Sequence, residues 1–316
     1  MGERRPEVIV LGAGVMGLTT AVCLAEQGLQ VQIRTRETPS ATTSAVASAM
    51  IGPSFAPADD PLGIRERVGN EEFTMLAAVD GTGVALRRGR LVSRQTDLLP
   101  PGVELCAPDE LPATGFAAGF WATLPLVDMP VYLDYLVQRL AAAGGQLELA
   151  EVNSLSELAD QAPLLANCAG LGARELVPDP SVHPVRGQQV IVDNPGLEEF
   201  FIEAPFGPAW TAYWPHPDHV VLGSTMVEDD DNLEPTPALA EEILRRCIEV
   251  EPRLRHAQVR GHQVGLRPGR PSVRLEAEQV GNSRCVHNYG HGGSGVTLSW
   301  GCAREAAAIL TGQEAR

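Results

Sequence analysis

Val8-Ile9-Val10-Leu11 is an unbroken apolar run between Glu7 and Gly12, the pattern of a strand covered on both faces in a parallel sheet. Glycines follow at 12, 14 and 17, and from Leu18 to Gln27 the apolar positions Ala21, Leu24 and Ala25 recur at helical spacing until Gly28 ends the run. Val31-Gln32-Ile33 reads as a second strand, so the chain opens on a βαβ unit. A further amphipathic helix is predicted over Met129–Ala143, with Pro130 suited to its first turn. Tyr132, Leu133, Leu136 and Leu140 form its stripe, and Gly144-Gly145 ends it. Leu164 to Gly170, Val190 to Val192, Val220 to Gly223 and Arg284 to Tyr289 read as strands, and Thr297 to Leu310 as a closing helix. From Pro53 to Gly119 there are many prolines, short strand-like pieces such as Arg90-Leu91-Val92, and no sustained helical period; this stretch reads as mixed material of a second domain. The strand, glycine cluster and helix at the C-terminal end repeat the logic of the opening, so both ends are expected to build one α/β domain.

Composition narrows the classes. A length of 316 residues suits two domains, and a formal charge of −16 argues against nucleic acid and anionic membrane as partners. The six cysteines are far apart, with no CxxC spacing, and read as thiols of a reducing compartment, so the expected location is cytoplasmic. Val8–Ala25 carries no charge, but its glycines interrupt it where a secretory segment has a continuous apolar helix. The final residues, Gln313 to Arg316, form no peroxisomal or retention address. The acidic run Glu228 to Asp231 reads as a solvated loop, and no metal site is expected.

Gly12-Ala13-Gly14-Val15-Met16-Gly17 has dinucleotide spacing: one glycine for a tight turn, one for approach of a pyrophosphate, one for packing of helix on strand. An acid at the end of the second strand would hold a ribose hydroxyl. Here Arg34-Thr35-Arg36 precedes Glu37, so either Glu37 holds a ribose or Arg36 accepts the extra phosphate of NADP.

The strongest signature is His287-Asn288-Tyr289-Gly290-His291-Gly292-Gly293-Ser294-Gly295, followed by Val296, Thr297, Gly301 and Ala303. In the right order along the chain stand also Thr42-Thr43-Ser44, Val46-Ala47-Ser48, Asn167-Cys168-Ala169-Gly170, Arg186-Gly187-Gln188, Gly265-Leu266-Arg267-Pro268 and Arg270-Pro271. Together they resemble the D-amino-acid oxidase family of flavoproteins over essentially the whole chain. A glycine cluster lets backbone lie against a flat ring system, and a helix starting near Thr297 aims its amides at one edge of it. His287 and His291 are four apart, but the glycines around them argue against a metal-binding helix.

The resemblance implies an α/β fold with a Rossmann-like FAD-binding domain (residues 1–50, 141–184 and 267–316) and an α+β substrate domain on a mixed or antiparallel sheet (51–140 and 185–266). It implies noncovalent FAD held by the opening turn (Gly12, Ala13, Gly14, Val15, Met16, Gly17) and by Arg36 or Glu37. Thr42, Thr43, Ser44, Ser48 and Met50 follow, then Val152, Cys168, Ala169 and Gly170. Arg267 and the run His291, Gly292, Gly293, Ser294, Gly295, Val296 and Thr297 complete the set. Arg267 precedes a proline, which keeps it extended, and a guanidinium forks a carboxylate. By resemblance Arg267 and Tyr213 hold the substrate carboxylate, the Gly293 carbonyl takes the amine, and Met50 and Met226 add apolar wall. The reaction implied is oxidation of a neutral D-amino acid by hydride transfer from Cα to flavin N5 without a side-chain base. Its products are a 2-oxo acid, ammonia and hydrogen peroxide, with dioxygen as co-substrate and the enzyme a monomer or homodimer. D-aspartate oxidases share the signature, but the arginine expected for a second carboxylate is missing at Gly223-Ser224-Thr225-Met226. The family's lid tyrosine has no match between Phe201 and Trp210. Glycine or sarcosine oxidation, and a flavin-binding protein without turnover, are the other readings.

Overall fold

The computed structural model describes residues 5–53, 56–57, 59–96 and 99–312; the C-terminal residues read for a targeting address lie outside these. The chain opens with β1 (Val8–Leu11), α1 (Val15–Glu26) and β2 (Val31–Thr35), and continues through short 3-10 turns at Pro39–Ala41 and Thr43–Val46. Then come α2 (Pro61–Leu76), β3 (Val84–Ser93), β4 (Glu104–Leu105), β5 (Ala118–Val127), α3 (Met129–Ala142), β6 (Gln146–Leu149) and β7 (Leu164–Asn167). The second half holds α4 (Ala173–Leu176), β8 (His183–Asp193), β9 (Phe200–Glu203), β10 (Ala209–Pro215), β11 (His219–Thr225), β12 (Val227–Glu228) and α5 (Pro237–Val250). It closes with β13 (Val259–Gly269), β14 (Arg274–Val280), β15 (Ser283–Tyr289) and α6 (Gly295–Thr311).

Two compact units result. The first takes residues up to Val84, Val127–Pro184 and the chain from Arg267 onward. Its sheet runs β14-β15-β7-β1-β2-β6, parallel from β15 to β6 and closed by antiparallel β14. All four residues of β1 are buried, as a central parallel strand requires. Helix α1 is buried from Val15 to Ala25, which is why it has no clear polar face and starts earlier than its periodicity predicts. Its partners are α3 and α6: Tyr132, Leu133, Leu136 and Leu140 of α3 join Leu298, Trp300, Ala303 and Ala307 of α6 in one core. There the Trp300 indole donates to the Tyr132 hydroxyl at 2.8 Å.

The second unit spans Ala85–Leu126 and Val185–Leu266. Its sheet is mixed, in the order β12-β8-β11-β10-β9-β3-β5-β4, with β13 on β8; β3 runs parallel to β9, whereas β8, β11, β10 and β9 alternate in direction. Ala240, Ile243 and Cys247 of α5 cover one face together with Val190, Val192, Phe201, Tyr213, Val220 and Leu222. Arg186, buried, donates to the carbonyls of Asn232 (2.6 Å) and Glu234 (2.7 Å) and to Gln188 Oε1 (3.0 Å), so the Arg186-Gly187-Gln188 motif ties down the approach to α5. Asp230 of the acidic run lies 3.8 Å from the same guanidinium.

Two expectations need correction. Residues 51–84 and 127–140, read as part of the substrate domain, pack in the first unit, because the apolar stripe of α3 is buried in that unit's core with α1, α6 and Phe73 of α2. The stretch read as lacking a helix contains α2, sixteen residues long. Its contact with α6 is made by glycines in place of an apolar stripe: a Cβ on Gly69 would sit 2.0 Å from the Thr297 carbonyl oxygen, and one on Gly301 2.5 Å from the Arg65 Cα. Arg65 then forks Glu305 at 2.7 and 2.9 Å.

Candidate active site

The turn between β1 and α1 is fixed by sterics. Gly12 has φ +94° and a Cβ there would meet the Cys168 carbonyl oxygen at 2.7 Å; a Cβ on Gly17 would lie 1.8 Å from the Gly12 carbonyl oxygen. Both positions exclude side chains, one for conformation and one for close approach. Gly14 is the residue before α1, which has no side-chain cap and no acid in its first turn. Ser44 Oγ accepts from the Val15 N–H at 3.0 Å, so the 3-10 turn carrying Thr42, Thr43 and Ser44 is latched to the helix start. Thr42 donates to the Pro39 carbonyl at 2.7 Å. Further on, Ala49 accepts from Val127 N–H at 2.8 Å, placing half-buried Ser48 and Met50 beside this turn in the chain.

At the end of β2 the Thr35 hydroxyl donates to the Glu37 carbonyl at 2.8 Å, and Arg36 lies 3.6 Å from Glu37, with both side chains largely exposed. The arginine that raised the NADP reading is thus paired with the acid that favours a ribose.

The end of β7 abuts the glycine turn. Asn167 bonds Ala169 N–H through Oδ1 (3.2 Å) and His287 Nδ1 through its amide nitrogen (3.2 Å). Cys168 donates to Thr20 Oγ1 at 3.7 Å, and burial pushes its thiol up to about 12, so it is neutral and a poor nucleophile at neutral pH. Gly170 has φ +58° and open space where a side chain would stand. Val152 packs beside Ile9, Leu11 and Leu155.

The glycine-rich segment follows β15. Tyr289 donates to Asp179 at 2.9 Å and receives Arg274 at 2.7 Å, while Arg270 donates to Asp179 at 3.0 Å and lies across Gly290. Gly292, with φ +52°, has nothing within 4 Å of a would-be Cβ. At Gly293 the nearest atom is Arg267 Cδ at 3.7 Å. The Ser294 N–H donates to the His291 carbonyl at 3.0 Å. Helix α6 then begins at Gly295, again with no side-chain cap and no acid in its first turn, so Val296 and Thr297 present a bare positive end. His291 is 6% exposed and its Nε2 has no hydrogen-bond partner among the described residues. Burial, with Arg65 adding like charge, lowers it to about 3.

These features fit a flavin dinucleotide: two acid-free helix starts for anionic groups, glycine surfaces open at 170 and 292, and an imidazole nitrogen lacking a partner in the chain. Residues 7–309 match the model of the DAO family, FAD dependent oxidoreductase. The chain belongs to the FAD-dependent oxidoreductases of the DAO family. FAD is therefore its cofactor, and the NADP reading of Arg36 falls. Similarity extends, at 48% identity over 310 residues, to a D-amino-acid oxidase of Rubrobacter xylanophilus, covering 95% of this chain and 94% of that one. A human D-aspartate oxidase is 35% identical, covering 96% and 94%. In fold the chain is similar to glycine oxidase from Geobacillus kaustophilus, with TM-score 0.83, 20% identity, and coverage of 99% and 96%.

Tyr213 requires a correction. It is paired in register with Leu222 and Phe201 and packs with α5 in the core of the second unit. Its ring stacks on Phe201 at 5.6 Å and its hydroxyl is bonded to Arg90. It is a core tyrosine with a satisfied hydroxyl. Met226 is half-buried just after β11, its N–H donating to the Pro208 carbonyl at 2.8 Å. Periodicity did not disclose which face Tyr213 takes, because every residue of β10 from Trp210 to Pro215 is buried.

Proposed function

We propose that this FAD-dependent oxidoreductase oxidises neutral D-amino acids to 2-oxo acids, with release of ammonia and hydrogen peroxide. The observation that carries this reading is the side chain of Arg267 lying against Gly293 just ahead of α6. A guanidinium there forks the substrate carboxylate through two parallel bonds, and the Gly293 carbonyl takes the amine, which leaves one enantiomer with its Cα hydrogen correctly presented. Arg36 and Glu37 serve the adenosine end, and the turns at 12–17 and 42–48 serve the diphosphate.

Bound FAD supplies the two-electron acceptor, with dioxygen as the final oxidant. The amino acid loses hydride from Cα and a proton from nitrogen, and water hydrolyses the imino acid. No side chain serves as base. His291 is neutral at physiological pH, and burial lowers His287 as well, against its Glu278 partner. FAD is held noncovalently, in keeping with the neutral Cys168 thiol. Met50 and Met226 bring no charge, which favours an apolar substrate side chain over D-aspartate. The identity to the Rubrobacter enzyme, higher than that to the aspartate enzyme, supports the same choice.

Among the described residues no helix is long and apolar enough to cross a membrane. All six cysteines are unpaired thiols, which suits a cytoplasmic monomer or homodimer. The test is anaerobic titration of the holoenzyme with D-alanine and L-alanine. Bleaching of the flavin band by the D-form alone supports the proposal, and bleaching by neither rejects it. Faster turnover of D-aspartate, glycine or sarcosine than of D-alanine, D-valine or D-methionine replaces the substrate class.

A further inference from the structure

His287 is buried in β15, and the chemistry proposed above does not use it. Register places it between two strands of the first unit, opposite Asn167 of parallel β7 and opposite Glu276 of antiparallel β14. Its Nδ1 stands 3.2 Å from the Asn167 amide nitrogen, although the two residues are 120 apart in the chain. Its Nε2 has Glu278 Oε1 at 3.0 Å, out of line with the ring N–H. Asn167 is buried as well, and its Oδ1 accepts from the Ala169 N–H at 3.2 Å.

One backbone group sets the direction of these bonds. A backbone N–H is a donor only, so the Asn167 atom facing Ala169 is the oxygen, and the atom facing His287 is the amide nitrogen, which only donates. Nδ1 must then offer a lone pair, and the proton of the neutral ring sits on Nε2. A second proton, on Nδ1, would set N–H against N–H. Burial, with Arg274 adding like charge, lowers the imidazole pKa against the pull of Glu278 and Glu276, in keeping with a neutral ring. The backbone so held abuts the glycine turn. Cys168 N–H donates to the Leu11 carbonyl at 3.0 Å, and the Cys168 carbonyl oxygen fills the space beside Gly12. Asn288, next to His287, donates to Thr20 Oγ1 at 3.1 Å, which also takes the Cys168 thiol at 3.7 Å. Gly170 follows with φ +58° and open space before it.

We propose that His287 and Asn167 are positioning residues for FAD: the imidazole, held as its Nε2-protonated tautomer, locks the Asn167 amide, and that amide holds the turn at 168–170 in the shape the cofactor needs. The inference rests on the FAD cofactor alone, whichever amine is oxidised. Both residues act through the Ala169 backbone. Without the Nδ1 lone pair the buried amide nitrogen has no acceptor, and an amide that turns to find one abandons the Ala169 N–H. The same bond gives a physical reason for two separate signature segments, Asn167 to Gly170 and His287 to Gly295, since each needs the other's first residue.

The experiment has two readouts on holoenzyme, neither of which involves an amino acid substrate. The first is the dissociation constant of FAD, from the flavin fluorescence released on dilution. His287→Asn keeps an amide oxygen where Nδ1 stands, whereas His287→Gln carries it one bond further out. His287→Gln is expected to raise the FAD constant about tenfold, the worth of one buried hydrogen bond, and His287→Asn to keep it within about twofold. A role in packing alone reverses that order, because glutamine is the closer to histidine in size. Equal constants in the two variants, or tighter binding in His287→Gln, overturn the proposal. The second readout is the long-range 15N–1H spectrum of histidine-labelled parent at neutral pH, with the His287 signal identified by its loss in His287→Asn. A ring protonated on Nε2 alone supports the proposal, and a ring protonated on Nδ1 overturns it. Asn167→Asp still accepts from Ala169 N–H but has no proton to give, so it is expected to bring a proton onto Nδ1; an unmoved tautomer overturns the coupling. If neither His287 variant retains FAD, the parent spectrum decides, its His287 signal identified by Overhauser contact with the Tyr289 ring, whose centroid is 5.7 Å away.

Discussion

At Arg267 the geometry makes a demand that charge alone does not meet. Its side chain reaches along Gly293, and a planar fork binds two carboxylate oxygens where an ammonium binds as a point charge. Arg267→Lys is expected to cut kcat/KM for D-alanine by about 10- to 100-fold, the worth of one charge-assisted bond, with FAD content unchanged; steady-state kinetics on flavin-normalised enzyme checks it. Tyr213 sets the contrast. Its hydroxyl serves Arg90 inside the core, and burial raises its pKa. Tyr213→Phe therefore costs about 0.5 to 1.5 kcal/mol of stability in urea unfolding, while KM for D-alanine stays within about twofold; a tenfold rise in KM would return Tyr213 to the substrate site. Both residues were named from sequence for the substrate carboxylate; Arg267 lies along Gly293, whereas Tyr213 lies in the core of the second unit. Gly293 and Pro268 constrain the backbone around Arg267, whereas at Tyr213 one step of strand register exchanges core for the opposite face.

Helices α1 and α3 were legible as elements because strand, glycine stop and apolar stripe all agree with what they pack against. Helix α2 was not, since its buried set includes Gly63, Gly69 and Glu72 beside only Phe73 and Leu76 as large apolar side chains. Its stability comes from backbone approach to α6 and from a polar network across four helices. Glu72 takes Arg139 at 3.2 Å and also Arg304, while Arg139 forks Glu26 at 2.7 and 3.0 Å and lies 4.8 Å from the Trp300 ring centroid. Such a helix carries no periodic signal for a reader to find. Gly301→Ala tests the arrangement. The methyl would meet Arg65 backbone at 2.5 Å, and backbone cannot yield as a side-chain tip can, so α2 and α6 must separate. The expected result is a loss of about 2 kcal/mol or more, of the order seen for overpacking, together with weaker FAD retention, since α6 begins at the glycine loop. Thermal melts and the flavin-to-protein absorbance ratio measure the two effects.

For the molecule as a whole, the site is bound to stability through its buried histidines. The folded protein keeps His291 neutral down to about pH 3, whereas an unfolded chain protonates it near 6.5. Between those values the unfolded state binds more protons, so stability rises with pH and falls as the solution is acidified, by up to about 1.4 kcal/mol per pH unit for one such group. His287, lowered by burial, adds to the slope in the same direction. Carboxylates act in a different window. Asp179 is held below its usual range, burial being outweighed by Tyr289 and Arg270; its contribution is intact above about pH 4 and is lost only as pH falls through its folded value. The interval from pH 7.5 to 5 therefore isolates the histidines. His291→Gln, assayed by thermal melts at saturating FAD so that cofactor loss does not enter, is expected to flatten the fall in Tm across that interval while lowering Tm at pH 7.5 only slightly. A slope identical to the parent's would mean that the imidazole gains a proton in the folded protein. The partnerless Nε2 beside the flavin loop would then be a charged donor, and the neutral electrostatics assigned to this end of the site would have to be abandoned.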